Sequence, residues 1–225
     1  MDIVLEHFNR LANSYDKKSL NRINYLNSID DLIIDTLNGQ DYKLLDVGCG
    51  TGKRIKELKL KLNINEVYGC DISPNMINIA KRNIKNVVLQ DMSNLTYSDK
   101  EFDVLTCLFN SFGCLNTKKK RFATLKHFNR ILKDDGTLFI DVMNFCLLAK
   151  PFKDNGDKFF NLNIEDKEVE GYVHGFTHNE MKKLLKESGF KYNKFIVSYN
   201  SGKLHRDNTK GQFFYICKKV NDELY

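Results

Sequence analysis

Ten residues, Lys43-Leu44-Leu45-Asp46-Val47-Gly48-Cys49-Gly50-Thr51-Gly52, constrain the fold of this chain more than any other stretch. A short apolar run closes on an acid, passes through three alternating glycines and continues as a helical pattern. Glycine lets the backbone turn sharply and lets a ligand approach it closely. Asp71 follows nineteen residues after Gly52, closing Val67-Tyr68-Gly69-Cys70, and twenty residues later Asp91 closes Val87-Val88-Leu89-Gln90. An acid at the end of a second strand can accept hydrogen bonds from both hydroxyls of a ribose. A third acid, in the next strand's loop, can accept from an exocyclic amine such as that of adenine. Together the three describe a site for an adenosine-containing cofactor.

A chain of 225 residues is long enough for one well-buried domain. A hydrophobic content of 42% with only two prolines argues against disorder. No run of 18 apolar residues occurs, so no membrane span is expected. The opening Met1-Asp2-Ile3-Val4-Leu5-Glu6 lacks the basic-then-apolar layout of a signal peptide, and a cytoplasmic location is expected. The six cysteines form no CxxC pair and read as small buried hydrophobes. Five scattered histidines give no metal spacing, so no metal is expected. A net charge of +6 permits a phosphate or RNA partner without demanding one.

Periodicity divides the chain into three parts. Residues 1–38 read as one or two amphipathic helices ending at Asn38-Gly39, an N-terminal cap. Alternating strands and helices run through 43–142, the cofactor-binding half. One helix opens at Ser73 with Pro74 in its first turn; Thr117 to Leu132 is another, and Asp134-Asp135-Gly136 turns the chain into a fifth strand at Thr137. The remaining 143–225 is the substrate-side half. It holds a mixed stretch from Phe145 to Phe176 and a helix opened by the capping box Thr177-His178-Asn179-Glu180. It closes with strands Tyr192 to Tyr199 and Gln212 to Lys218, whose short connection makes them an antiparallel hairpin. The expected fold class is α/β: a single-domain, three-layer sandwich with a seven-stranded, mostly parallel sheet whose last strand is antiparallel.

With these elements in order, the chain resembles the class I S-adenosylmethionine-dependent methyltransferases, a Rossmann-like family, from about Lys43 onward. Asp46 to Gly52 is similar to the family's glycine-rich loop, Asp71 to its ribose acid, and Asp91-Met92 to its adenine-contacting pair. Phe102-Asp103-Val104 resembles the start of its fourth strand, and Arg130 to Gly136 the turn before its fifth. The resemblance implies S-adenosylmethionine as cofactor, with contacts at Asp46, Gly48, Gly50, Gly52, Asp71, Ile72, Asp91, Met92 and Leu108. It places the methyl acceptor near Asn110, after the fourth strand. Phe8 to Asp16 resembles the opening helix of small-molecule members, which implies that Tyr15 contacts the sulfonium region or the acceptor. Tyr172-Val173-His174-Gly175-Phe176 is similar to a segment of tRNA wobble-uridine methyltransferases, and His174 is a candidate base.

Rival readings have visible counter-signals. A nicotinamide dinucleotide site wants a glycine where Lys53 stands and gives Asp91 no task. Leu108-Phe109-Asn110-Ser111 is not the Asp-Pro-Pro-Tyr or Asn-Pro-Pro-Tyr pattern of enzymes that methylate exocyclic base nitrogens. Cys107 lacks the preceding proline of a cytosine-C5 nucleophile. A non-catalytic scaffold has no need of intact Asp46, Asp71 and Asp91. The short insert favours a small-molecule acceptor. The basic groups Lys118-Lys119-Lys120-Arg121 and Lys203, His205, Arg206 and Lys210 keep RNA open as the alternative.

Overall fold

The computed structural model describes residues 2–37, 41–147, 156–164 and 167–220; the expected punctuation at Asn38-Gly39 lies outside them. Three α-helices open the chain where one or two were expected: α1 (Ile3–Leu11), α2 (Tyr15–Ser19) and α3 (Ile23–Thr36), joined by 3-10 turns. Asp2 caps α1 by accepting from the Val4 amide at 2.9 Å. There follow β1 (Leu44–Val47), α4 (Lys53–Leu62), β2 (Val67–Asp71), α5 (Pro74–Ala80), β3 (Asn86–Leu89), β4 (Phe102–Cys107), α6 (Lys118–Ile131) and β5 (Leu132–Val142). Ser73 caps α5 through the Met76 amide, with Pro74 at its first position, as its sequence predicts.

Two details depart from the sequence reading. The strand-helix alternation breaks between β3 and β4, which a 3-10 turn at Met92–Asn94 and a loop connect. Strand β5 begins at Leu132 rather than Thr137. Leu132 pairs with Phe102 and Thr137 with Val104, so Asp134-Asp135-Gly136 is an irregularity inside the strand, not a turn before it.

The last third holds β6 (Asp157–Ile164) and β7 (Lys167–His174), then α7 (His178–Glu187), β8 (Phe190–Val197), β9 (Leu204–His205) and β10 (Gln212–Lys219). Strands β6 and β7 form their own antiparallel sheet. The main sheet runs β3-β2-β1-β4-β5-β10-β8-β9, with β10 antiparallel to both neighbours. Seven of these strands are the expected ones; β9 adds a two-residue eighth at the edge.

The layers follow from strand alternation. Leu44, Val104, Phe139 and Phe214 face α3 and α4, packing with Ile29, Ile33, Ile55 and Leu58. Their neighbours Leu45, Leu105, Ile140 and Tyr215 face the opposite way, against Leu125 and Phe128 of α6 and Leu184 and Leu185 of α7. Both faces are covered, so these strands are apolar almost throughout. The parallel register of β2, β1, β4 and β5 brings their C-terminal ends, and the loops beyond, to one edge. Ligands of open α/β sheets bind at such an edge.

Candidate active site

At that edge lies a cavity of 680 Å³ lined by Gly48 and Gly50 after β1, Asp71 and Ile72 after β2, and Asp91 and Met92 after β3. Asn110 after β4 and Tyr15 of α2 also line it. Eight of the sequence-derived site residues therefore meet on one wall. A smaller cavity of 150 Å³ shares Tyr15, Gly48 and Gly50 with the first and reaches Asp46 and Leu108.

The glycine loop is shaped from within. Gly48, Gly50 and Gly52 have φ of 76°, 55° and 71°, the left-handed region that other residues enter at a cost. Gly52 lines neither cavity: a Cβ there would stand 3.2 Å from that of Ala80, so this glycine lets α4 pack on α5. Asp71 organises the turn. Its Oδ2 accepts from the Gly50 amide and its Oδ1 from the Ser73 amide, both at 2.9 Å. A carboxylate offers about four lone-pair positions, so two remain for a ligand's hydroxyls. Burial pushes the Asp71 carboxyl up, and those amides oppose the shift. Asp91 caps the 3-10 turn after β3 through Oδ1, which accepts from the Ser93 amide and hydroxyl at 2.8 Å. Among the described residues nothing bonds its Oδ2.

Asp46 accepts from the Thr106 hydroxyl at 2.6 Å. Burial pushes its carboxyl up to about 6, against the pull of Thr106 and Arg54. The Tyr15 ring packs 3.7 Å from where a Gly50 Cβ would stand, and burial pushes its hydroxyl up to about 12. Tyr15 therefore stays protonated across the physiological range.

The N-terminal helices are pinned onto this edge by polar contacts. Asp16 accepts from the Thr51 hydroxyl at 2.6 Å, and Asn9 accepts from the Ser73 hydroxyl at 2.6 Å. Asp30 of α3 pairs with Arg54 at 2.7 Å and Lys61 at 2.9 Å. Strands β6 and β7 pack over α1: Val169 of β7 and Ile164 of β6 meet Leu11, and the His7 ring meets Phe160 of β6 edge-on at 5.5 Å. Phe8, Phe160 and Tyr172 thus line the far side of the larger cavity.

His174 stands apart from the cavity lining and is 2% exposed. Its Nδ1 lies 2.7 Å from Asp157, and its Nε2 lies 3.1 Å from both oxygens of Glu180. Glu180 is the acid of the Thr177 capping box, so its carboxylate joins α7 to β7 as well. The basic run at the start of α6 also divides. Arg121 is 6% exposed, donating to the Leu115 carbonyl at 2.9 Å, whereas Lys120 lines the cavity. Cys107 is fully buried in the sheet core.

Sequence reading missed the group at the end of β5. Asp141 accepts from the Tyr25 hydroxyl at 2.6 Å and the Asn110 amide at 2.9 Å. It thereby braces Phe109 and Asn110, two consecutive residues in the left-handed region at φ 62° and 57°. An acid closing an apolar strand was the available signal, the same one that marks Asp46 and Asp71.

Fold and site together define a class I methyltransferase architecture. Residues 44–136 match the family described as "Methyltransferase domain". An uncharacterized protein of Methanocaldococcus jannaschii is 29% identical over 203 residues, spanning 83% of this chain and 76% of that protein. A ubiquinone/menaquinone biosynthesis C-methyltransferase of Campylobacter jejuni is 30% identical over 151 residues, spanning 61% of this chain and 62% of its own length. The crystal structure of an S-adenosylmethionine-dependent methyltransferase from Clostridium acetobutylicum superposes with a TM-score of 0.72 at 20% identity, covering 95% of this chain and 99% of that one. Residues 44–136 thus match a methyltransferase domain, and the chain as a whole shares the fold of S-adenosylmethionine-dependent methyltransferases. No helix among the described residues is long and apolar enough to cross a membrane.

Proposed function

We propose that this protein transfers a methyl group from S-adenosylmethionine to a small-molecule acceptor. The observation that carries the reading is the continuity of one cavity. It runs from the glycine loop, Asp71 and Asp91 to a chamber roofed by α1, α2 and β7. A roof made of the chain's own helices and strands suits a compact acceptor better than a polymer. The Campylobacter relative's name points the same way.

The residues fit the cofactor chemically. Asp71 keeps two lone-pair positions for ribose hydroxyls beyond those holding its loop, and Asp91 keeps Oδ2 for the adenine amine. Asp46, on the smaller cavity, suits the methionine ammonium, directly or through water. When bound, the cofactor supplies a methyl on a positively charged sulfur. The protein's task is then to hold an acceptor in line with that methyl and keep water out, which proximity and orientation can achieve without a catalytic triad. Tyr15 closes the site over Gly50, and Asp141 fixes the turn that presents Asn110. His174 suits a positioning role between β7 and α7 rather than proton transfer, because both ring nitrogens are engaged. The RNA reading loses support because Arg121 points inward and breaks the basic run.

The test is to incubate the protein with methyl-labelled S-adenosylmethionine and separated fractions of a cell extract. Label entering small metabolites is expected. Label entering only RNA or protein would sink the small-molecule reading.

A further inference from the structure

Two guanidinium groups rest on the Phe109 ring, and the chain treats them differently. Arg54 lies 5.0 Å from the ring centroid, with its charge held by Asp30 at 2.7 Å. Arg22 lies 5.9 Å from that centroid and 5.6 Å from the centroid of Tyr199. It lines the larger cavity, and among the described residues no carboxylate pairs with it. Asp141 shares this wall and feels the Arg22 charge, but its oxygens accept from Asn110 and Tyr25 and it forms no ion pair with Arg22.

A cation–π contact uses the face of a guanidinium, and its five N–H donors lie in the plane. Arg22 lies beside two rings on the cavity wall, and its N–H donors make no hydrogen bond among the described residues. Tyr199 is itself placed by the Tyr25 ring 5.8 Å away, and the loop after it is tied to α3 where Asn24 donates to the Asn200 carbonyl at 3.0 Å. A guanidinium on a cavity wall with no ion pair of its own matches an oxyanion, two of whose oxygens can take parallel hydrogen bonds from its fork. Lys210, on the same cavity and in no ion pair among the described residues, adds to the positive field.

We propose that Arg22 anchors an oxyanion of the methyl acceptor, a carboxylate or a phosphate, with Phe109 and Tyr199 packed beside its guanidinium. This inference rests on the small-molecule reading and narrows it to acids. A carboxylate also ends the methionine arm of the cofactor, so the experiment must separate the two sources.

Benzoate, phenyl phosphate and neutral benzamide are titrated by calorimetry into protein saturated with S-adenosylhomocysteine. S-adenosylhomocysteine itself is titrated into wild type, Arg22→Gln and Arg22→Lys. One of the anions should bind at least about tenfold tighter than benzamide, a difference of about 1.4 kcal/mol. The tighter of the two identifies the oxyanion. Arg22→Gln should erase the preference while leaving S-adenosylhomocysteine affinity within about threefold, and Arg22→Lys should keep part of it because the charge survives without the fork. Equal affinity for all three probes, or binding of none, would overturn the proposal. So would an Arg22→Gln variant that loses affinity for S-adenosylhomocysteine, since Arg22 would then serve the cofactor. In the labelling experiment, methyl label found only in neutral small molecules overturns this inference and keeps the broader reading. Label found only in polymers overturns both.

Discussion

The two ends of the cavity are built on opposite principles. At the glycine-loop end the acids are already at work inside the protein: Asp71 holds two amides and Asp91 holds the Ser93 amide. The groups proposed to contact the ligand there are also the groups that shape the loops. At the roofed end the cation lies beside two rings, and the nearby acid, Asp141, accepts from Tyr25 and Asn110 without pairing with it. On the proposed reading, cofactor recognition is inseparable from local folding, whereas acceptor recognition is assembled from distant segments and can change without unfolding the sheet.

The largest effect that can break this contrast lies at Asp71. Asp71→Ala should remove charge-assisted hydrogen bonds to a ribose, each worth about 1.5 to 3 kcal/mol, and lower S-adenosylhomocysteine affinity about a hundredfold or more. It should also lower the melting temperature, because the Gly50 and Ser73 amides lose their acceptor. Asp71→Asn should lower affinity by a similar order with a smaller thermal cost, since one acceptor oxygen remains. Affinity unchanged by calorimetry in either variant would remove Asp71 from the site.

A smaller, pH-dependent effect is expected at Asp46. Burial raises its carboxyl to about 6 from an ordinary value of about 3.9, so an ammonium seeking the ionised form meets a protonated acid in mildly acidic buffer. S-adenosylhomocysteine affinity should therefore fall about tenfold per pH unit below about 6, and binding near that pH should release a proton. In the ligand-free protein the sign runs the other way. An acid raised on folding favours the folded state fully only below its unfolded value near 4, and loses that contribution as pH rises through 6. A flat affinity profile between pH 7.5 and 5 would separate Asp46 from the cofactor's ammonium.

The smallest cofactor effect is expected at the roofed end. Tyr25→Phe deletes one hydrogen bond to the buried Asp141 and should cost about 1 to 3 kcal/mol of stability by denaturant unfolding. S-adenosylhomocysteine affinity should stay within about twofold. A tenfold loss of affinity would mean that the two ends are coupled through the Phe109–Asn110 turn.

Legibility in the sequence followed the same division. The strands bearing Asp46, Asp71 and Asp91 were readable because each is a short apolar run closed by an acid, and the loop glycines stand where the backbone turns left-handed. Gly52 shares the spacing of the other two glycines but lines neither cavity, and its close neighbour Ala80 belongs to a different helix. Pairing of β6 with β7 was not legible, since their apolar residues do not alternate cleanly: Phe159 and Leu162 are exposed while Ile164, Val169, Tyr172 and Val173 are buried. His174 looked like a base because nothing local reveals that Asp157 and Glu180 close on it from both sides. Arg22 carries no sequence signal, for its setting exists only once α3 and the loop after β8 meet at Asn24 and Asn200.

The most direct test of the account is a crystal structure of the protein grown with S-adenosylhomocysteine. The account predicts both ribose hydroxyls within about 2.5 to 3.0 Å of the Asp71 carboxylate, as charge-assisted O–H···O bonds require. It also predicts the adenine amine on Asp91 and the sulfur facing a chamber bounded by Tyr15 and Asn110. A nucleoside seated away from Asp71, or a sulfur pointing to open solvent rather than beneath α1 and β7, would contradict it.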